Sequence, residues 1–330
     1  LPSIEVPTFS IGGWYDIFLA GTLQGFRAMR EQGRPAKLLI GPWSHGGMSN
    51  PIGERSFGFG AQAALIDRKI DLGSLQLRWF NHWLRGVDTG MLQEPPVQIF
   101  VMGIDRWRFE DDWPLERART LPHYLHAGGG LDRSAPTGSE APDAYDYDPA
   151  NPVPVRGGAL LLTAQYPAGV WNQAGTEARD DVLVYTSDEL AQDVEVTGPI
   201  AAHIWLATSA PDTDVVVRLC DVRPDGTSYN LTDGILRGRH RGAASGRAPS
   251  PLTPGEPTEF EVDLWATSNV FLAGHRIRVQ VTSSNFPRWD RNLNTGRDEW
   301  GDAEMAVAHQ QVLHDAEHPS RILLPVVPKS

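Results

Sequence analysis

Strand-like and helix-like segments alternate over the first 90 residues of this chain. Residues 4–11 and 36–40 are short apolar runs that predict buried strands. Residues 17–32 show helical periodicity, and a second helix is expected to begin after a cap at Asp67 and to end at Gly86. A strand–helix–strand–helix order predicts α/β architecture with parallel strands. The residues expected to face the sheet are Leu19, Leu23, Phe26 and Met29 in the first helix and Leu72, Leu75, Trp79 and Trp83 in the second.

Two parallel strands are too few for a stable sheet, because such strands need neighbours and cover on both faces. We therefore expect this segment to belong to a larger sheet whose earlier strands lie outside the 330 residues. An exposed sheet edge and an exposed apolar patch should result, and with them a tendency to associate. The chain opens with Leu-Pro-Ser, with neither an initiator Met nor a signal peptide, so the sequence suggests a fragment or a processed product.

The pattern changes near Pro95, where short strand-like runs replace the alternation with helices. Ile277, Val279 and Val281 alternate with polar residues, as in an antiparallel strand with one solvated face. Many short strands with long loops favour a β-sandwich, in particular a jelly roll. We therefore predict two domains, residues 1–92 as part of an α/β domain and residues 93–330 as the sandwich. The predicted strands of the sandwich are 97–102, 182–185, 200–207, 215–222, 260–264, 277–281 and 322–327.

Composition excludes several classes of function. The formal charge of −12 leaves no basic excess to neutralise phosphates, which argues against nucleic-acid binding. No apolar run approaches the roughly 20 residues needed to cross a bilayer. A single cysteine, Cys220, excludes an intrachain disulfide and any cysteine-based zinc site. The lack of cysteine pairs fits a cytoplasmic protein, although secretion remains an alternative.

Two motifs follow the two predicted strands. Gly12-Gly13-Trp14-Tyr15-Asp16 comes after the first, and Gly41-Pro42-Trp43-Ser44-His45 comes after the second. Open α/β sheets bind ligands at this edge, so Asp16 could accept a hydrogen bond from the His45 ring. In α/β-hydrolases the triad order is Ser, Asp, His, and this chain has the last two in that order. Alternatively, Asp16 is only a helix cap and His45 an ordinary loop histidine.

A family resemblance supports the first of these interpretations. The strings GGWYDIFLAGTLQGFRAM, LLIGPWSHGG and FNHWLRG closely resemble the cocaine esterase and X-Pro dipeptidyl-peptidase (S15, CocE/NonD-type) family of α/β-hydrolases. The strings QIFVMGIDRWRFEDDWP, DVLVYTSDEL, SNVFLAGHRIRVQVTSSNFPRWDRNLNTG and EHPSRILLPV extend the resemblance almost to the last residue. The resemblance implies that this is the C-terminal portion of such a protein, with Asp16 and His45 as triad members and a jelly roll after them.

The nucleophile is where the chain departs from the family. The motif G-x-S-x-G occurs nowhere in the 330 residues, and in the family it lies upstream of the WYD motif. Ser44 is adjacent to His45, Ser245 lies off the motif's spacing in a predicted loop, and Cys220 falls in a strand-like run, so we reject all three as substitutes. The chain is therefore expected to need the N-terminal half of the hydrolase and to be inactive alone.

The resemblance implies a serine hydrolase acting by acyl transfer on small esters, amides or short peptides, with no metal or organic cofactor. Phe18 and Phe271 are candidate substrate contacts, although core packing is the usual role of such residues. His309, His314 and His318 could suggest metal ligands, but the strand-like residues after Pro319 favour a structural role. A different interpretation is that the jelly roll is a non-catalytic binding or interaction module. A homo-oligomer is possible in either case.

Overall fold

A computed structural model describes residues 3–297, 301 and 303–329. Most of the regular structure is β-sheet, arranged in one four-stranded and one eleven-stranded sheet. In the described ranges, no helix is both long and apolar enough to span a membrane.

The four-stranded sheet has the order β1-β2-β3-β4. Strands β1, β2 and β3 are parallel, and β4 pairs antiparallel with β3. The parallel pairing of the first two strands confirms the prediction. Strand β3 was expected in the sandwich but belongs to this sheet, so residue 92 falls between elements of the first sheet. The elements are β1 (Thr8–Tyr15), α1 (Leu19–Glu31), β2 (Ala36–Ser44), α2 (Leu72–Arg85), β3 (Val97–Val101) and β4 (Arg106–Glu110).

Both β1 and β2 continue past their predicted carboxyl ends, whereas β1 begins at Thr8 and not at residue 4 as predicted. Two glycines explain why the strands continue. Gly13 lies opposite Gly41 in the parallel register. A Cβ atom on Gly13 would lie 2.2 Å from the carbonyl oxygen of Trp43, and one on Gly41 would lie 2.3 Å from the Trp43 ring. The glycines therefore do not end the strands but let the two backbones and the indole approach closely as the strands leave the sheet.

The two helices pack on the sheet largely as expected. The four predicted core residues of α1 are all buried. In α2, Leu75 and Trp79 are buried, and Gly86 ends the helix in the left-handed conformation with φ 65°. The predicted cap was wrong: Asp71, not Asp67, accepts the hydrogen bond from the Ser74 amide, at 2.9 Å. Asp67 instead has φ 51° in the preceding turn.

An apolar stripe lies on the outer face of α2. Leu77, Phe80 and Leu84 are spaced three and four residues apart, and all three are exposed. Strand β1 is the terminal strand of its sheet and pairs only with β2 among the described residues. The exposed edge and the exposed apolar patch thus agree with the sequence-based expectation.

The second sheet has the order β11-β10-β13-β8-β6-β5-β15-β9-β14-β7, with β12 paired to β9. The long strand β9 pairs with β12, β14 and β15 and so connects distant parts of the sheet. This organisation is consistent with a β-sandwich. The elements are β5 (Arg119–His126), β6 (Gly130–Asp132), β7 (Asp143–Tyr147), α3 (Ala174–Glu177), β8 (Leu183–Thr186), β9 (Val194–Thr208), β10 (Asp214–Val222), β11 (Ser228–Arg237), β12 (Thr258–Phe271), β13 (Arg276–Thr282), β14 (Ala308–Leu313) and β15 (Arg321–Val327).

The two sheets share one cluster of buried apolar side chains. The Met102 amide donates to the Ser268 carbonyl at 3.0 Å, and the Val270 amide donates back to the Met102 carbonyl at 2.8 Å. Arg108 on β4 forms a two-pronged ion pair with Glu195 on β9, with nitrogen–oxygen distances of 2.6 and 2.9 Å. The first sheet is therefore firmly packed on the second.

Candidate active site

Asp16 and His45 follow directly after two paired strands. Tyr15, the last residue of β1, lies opposite Ser44, the last residue of β2, after a shift in register at Gly13. Asp16 and His45, the residues that follow these two, therefore lie at the same edge of the sheet, where the strands have their carboxyl ends. This is the edge at which open α/β sheets place their ligands.

The Asp16 carboxylate contacts the imidazole of His45. Nδ1 of His45 lies 3.2 Å from Oδ1 and 3.3 Å from Oδ2 of Asp16. The Asp16 side chain is 7% exposed, whereas that of His45 is 45% exposed. A buried carboxylate next to Nδ1 favours the tautomer that carries its proton there, which leaves Nε2 free to accept a proton.

A tight turn holds His45 at the end of β2. The Ser44 amide donates to the Gly47 carbonyl at 3.1 Å, and the Gly47 amide donates to the Ser44 carbonyl at 3.3 Å. These reciprocal bonds close a hairpin whose two central residues are His45 and Gly46. This turn was not predicted from the sequence, although Gly46-Gly47 directly after the histidine is a signal for one.

The helix-cap interpretation of Asp16 is correct in part. Oδ1 of Asp16 accepts the Phe18 amide at 2.9 Å, just before α1 begins. The N-cap residue of α1 is Phe18, whose side chain makes no capping bond. One carboxylate therefore both orders the start of the helix and faces His45, so the two interpretations are compatible.

The two candidate substrate contacts lie in different surroundings. The Phe18 ring meets the His45 ring edge-on, with 4.7 Å between centroids and 72° between planes, and Phe18 is 53% exposed. Phe271 has no exposed surface and packs in the core at the end of β12. Phe18 is thus in a position to touch a molecule at His45, whereas Phe271 offers it no surface because it is enclosed by other apolar side chains.

Buried aromatic residues support the two loops. Trp14 Nε1 donates to the Phe100 carbonyl at 2.7 Å, and Trp43 Nε1 donates to the Ala61 carbonyl at 2.6 Å. The Tyr15 hydroxyl donates to the Asn230 carbonyl of β11 at 3.1 Å. Burial raises the pKa of Tyr15 well above its usual value, so it remains a neutral donor. These bonds fix the backbone on either side of Asp16 and His45.

No serine or cysteine in the described residues is hydrogen-bonded to His45. Ser44 is held in the hairpin, and Ser245 lies in a 3₁₀ turn spanning Ala243–Ser245. Cys220 is buried in β10, where burial raises the pKa of its thiol and disfavours the thiolate. None of the three is arranged as the nucleophile for this base.

The three C-terminal histidines have separate structural contacts. His309 lies in β14 beside Asp146, with the two side chains in contact, and His314 Nε2 lies 3.1 Å from Asp143. Nδ1 of His318 is hydrogen-bonded to the carboxylate of Asp315 at 3.1 Å. Across the described ranges, no group of three or more His, Cys, Asp or Glu side chains is arranged to hold a metal ion.

Comparison with known families divides the chain into two parts. The model of the X-Pro dipeptidyl-peptidase C-terminal non-catalytic domain matches residues 89–323. The model of the X-Pro dipeptidyl-peptidase (S15 family) matches residues 1–47, which include both Asp16 and His45.

Individual relatives match nearly the whole chain. Cocaine esterase from Rhodococcus sp. (strain MB1 Bresler) is 40% identical over 99% of this chain and 57% of its own length. An aminopeptidase structure from a marine sediment Thaumarchaeota archaeon superimposes with a TM-score of 0.88 at 30% identity, over 98% of this chain and 56% of that one. The structure of an α-amino acid ester hydrolase superimposes with a TM-score of 0.81 at 29% identity, over 97% of this chain and 55% of that one.

The chain thus spans little more than half the length of these relatives. The family model for the larger part covers well over half of the chain, and the relative at 40% identity extends the match across both parts. The chain therefore belongs to the cocaine esterase and X-Pro dipeptidyl-peptidase (S15) family of hydrolases and corresponds to a C-terminal portion of its members.

Proposed function

We propose that this chain contributes the carboxylate and the base of a Ser–His–Asp triad to a serine hydrolase that transfers acyl groups from esters or amides. The observation that carries the proposal is the 3.2 Å contact between Asp16 and Nδ1 of His45. A nucleophilic serine would come from residues outside this sequence, because G-x-S-x-G does not occur within it.

The roles follow from the geometry. Asp16 accepts a hydrogen bond from the Nδ1–H group of His45, which orients the imidazole. Nε2 of His45 takes the serine proton as the hydroxyl attacks the carbonyl carbon, and the imidazolium then gives that proton to the leaving alcohol or amine. Water repeats the sequence on the acyl-enzyme and releases the acid and the free serine.

Under the same proposal, each of the two sheets corresponds to one domain of the hydrolase family. The parallel strands β1 to β3 would be the C-terminal end of an α/β-hydrolase sheet, whose other strands and nucleophile belong to an N-terminal half. The second sheet would be the jelly roll of the family, and because β3 and β4 belong to the first sheet, the domain boundary would lie after Glu110 instead of at residue 92. The exposed edge of β1 and the apolar stripe on α2 support this assignment, because a larger sheet and its helices would cover both.

We propose small esters, amides or short peptides as substrates, with Phe18 lining the site. The relatives include an esterase, an aminopeptidase and an amino acid ester hydrolase, which together span these classes. The exposed Phe18 ring beside His45 suits an apolar or aromatic acyl group.

Labelling with a fluorophosphonate probe tests the proposal. The 330-residue chain alone should show neither serine labelling nor esterase activity. Mixed with the part of the Rhodococcus cocaine esterase that it does not match, the chain should restore hydrolysis, with the label on a serine of the added part. His45→Ala should abolish that activity, whereas His240→Ala, at an exposed position, should not. Stoichiometric labelling of a serine in this chain would refute the assignment.

The alternative function, a non-catalytic binding module, is favoured by the description of the domain that matches residues 89–323. The mixing experiment with the unmatched part of the Rhodococcus cocaine esterase distinguishes the catalytic function from the binding function. A mixture that assembles into a stable complex but gains no hydrolysis above the level of the His45→Ala variant would favour the binding module.

A further inference from the structure

A short extended segment, residues 169–172, contacts both the chain that follows His45 and the residue of β11 that binds Tyr15. We call it the bridging segment. It lies between β7 and β8, within the residues that match the domain described as non-catalytic. Any effect of the bridging segment on Asp16 and His45 is therefore a contribution of that domain to the candidate site.

On one side, the bridging segment pairs with the chain that follows the His45 turn. Val170 forms a parallel bridge with Gly53. The Glu54 amide donates to the Val170 carbonyl at 2.8 Å, and the Asn172 amide donates to Oε2 of Glu54 at 2.9 Å. The loop that begins at His45 is therefore attached to the second domain through both the backbone and the side chain of Glu54.

The Glu54 carboxylate has a second partner, the guanidinium of Arg156. Nη2 of Arg156 donates to Oε1 of Glu54 at 3.3 Å, and Nε of Arg156 donates to the Asn172 carbonyl at 2.6 Å. The side chains of Arg156 and Glu54 are 46% and 34% exposed, and ion pairs in contact with water contribute little. The bond from the Asn172 amide is therefore the main attachment of the Glu54 side chain.

On the other side, the bridging segment is held by Asn230 of β11. Oδ1 of Asn230 accepts the Trp171 amide at 2.7 Å, and Nδ2 of Asn230 donates to the Gly169 carbonyl at 3.1 Å. The backbone carbonyl of Asn230 accepts the Tyr15 hydroxyl at 3.1 Å, and Tyr15 directly precedes Asp16. Asn230 is buried, so water does not compete for these bonds.

The contacts alternate along the bridging segment. Backbone groups of residues 169 and 171 bind Asn230, whereas those of residues 170 and 172 bind Glu54. This alternation is expected of an extended backbone, whose successive polar groups point to opposite sides. One piece of backbone is thus bound on both sides, and it connects Tyr15 on one loop of the candidate site with Glu54 on the other.

We propose that the bridging segment holds the His45 loop in place relative to Asp16, with Glu54 and Tyr15 as positioning residues at its two sides. The proposal rests on the proposed function, because it concerns how the two triad members are held for that chemistry. Glu54 and Tyr15 act through the backbone of their loops and not by contact with the reacting atoms. A displacement of the base by about 1 Å is enough to slow a reaction strongly, so these attachments should affect turnover.

Nitrogen NMR of the chain with labelled histidines tests the proposal without the missing half. At a pH where the ring is neutral, the His45 signals, identified by their loss in His45→Gln, should show the proton mainly on Nδ1. Glu54→Ala and Tyr15→Phe should each move these signals toward those of a free histidine, because one loop loses its attachment. Glu54→Gln should keep the wild-type signals, since an amide oxygen accepts the same bond. The control Glu256→Ala, at an exposed position, should change nothing.

Steady-state kinetics of the chain mixed with the unmatched part of the Rhodococcus cocaine esterase gives a second measurement. Glu54→Ala and Tyr15→Phe should each lower kcat for an aryl ester by about tenfold and leave KM unchanged, because the base is displaced and the substrate contacts are not. Glu54→Gln and Glu256→Ala should match wild type. Active sites are counted with the fluorophosphonate probe, so that a loss of folded protein does not lower the measured kcat.

The outcomes distinguish the positioning role from the proposed function. If the His45 signals of wild type equal those of Asp16→Asn, the contact between Asp16 and His45 is not made, and the proposed function fails together with the positioning role. If wild type carries the proton on Nδ1 but Glu54→Ala and Tyr15→Phe leave the His45 signals unchanged, only the positioning role is overturned. Equal kcat values for Glu54→Ala and Glu256→Ala would overturn it as well.

Discussion

Gly13 of β1 lies directly opposite Gly41 of β2, where the backbone of β1 passes close to the carbonyl of Trp43. This contact sets the spacing of the two strands just before the strands end and the chain continues to Asp16 and His45. The geometry of the candidate site therefore depends on two positions without side chains, and substitution there should affect stability and the site together.

We expect Gly13→Ala to destabilise the chain by about 2–3 kcal/mol, because the new Cβ atom would lie 2.2 Å from a backbone oxygen that cannot move freely. Gly25→Ala in α1 is the matched control. A Cβ atom there meets nothing within 4 Å, and alanine favours a helix by about 1 kcal/mol, so stability should rise. Urea unfolding of both variants measures the difference. Equal stabilities would show that the strands can separate at little cost.

Asp16→Asn should lower the turnover of the complemented enzyme by roughly 10⁴, because the amide would favour the wrong tautomer of His45. The fold should survive, since an amide oxygen can still accept the Phe18 amide. Turnover of an aryl ester under saturating conditions is the measurement, with Asp111→Asn at an exposed position as the control. A loss of less than tenfold would leave Asp16 with only its role at the start of α1.

Arg108→Ala should destabilise the chain by about 1.5–3 kcal/mol, because it removes two charge-assisted hydrogen bonds that join the sheets and leaves Glu195 largely buried without them. Arg27→Ala is the control. Its ion pair with Glu31 is solvent-exposed on α1, so the change should stay within about 0.5 kcal/mol. Similar effects of the two substitutions would show that Arg108 does not join the sheets.

The buried His123 should make the fold acid-sensitive. Its pKa is about 4 when folded and 6.5 when unfolded, so between these values the unfolded chain binds the extra proton. Stability should therefore be fully present above pH 6.5 and decline by up to about 3 kcal/mol as the pH falls to 4. His123→Phe should show a shallower decline between pH 6.5 and 4 in denaturant unfolding, and His240→Phe an unchanged one. Identical slopes for wild type and His123→Phe would contradict the prediction.

Local patterns in the sequence were sufficient for α1, for α2 apart from its start, and for the strands with a continuous apolar run. The spacing of Leu19, Leu23, Phe26 and Met29 identified the buried face of α1 because helical periodicity is a local property. The motifs that carry Asp16 and His45 were also visible, since each follows an apolar run. All seven strand-like runs predicted after Pro95 lie at least partly within strands of the structure.

Strands without a continuous apolar run were missed. Strand β4 reads RWRFE and β7 reads DAYDY, and their charged residues hide the alternation. Their pairing with β3 and β14 is decided by distant partners that no local window contains. Because pairing with distant partners is not visible in a local window, β3 was also expected in the wrong sheet.

The sequence by itself determined the order of the segments, the identity of the family and the two residues of the candidate site. Only the tertiary structure decided which strands pair, that Asp16 both orders α1 and contacts His45, and that Phe271 is buried while Phe18 is exposed. The physical reason is that composition and periodicity act over a few residues. Contacts across 29 or 87 positions of the chain, such as those of His45 with Asp16 and of Arg108 with Glu195, depend on how the whole backbone folds.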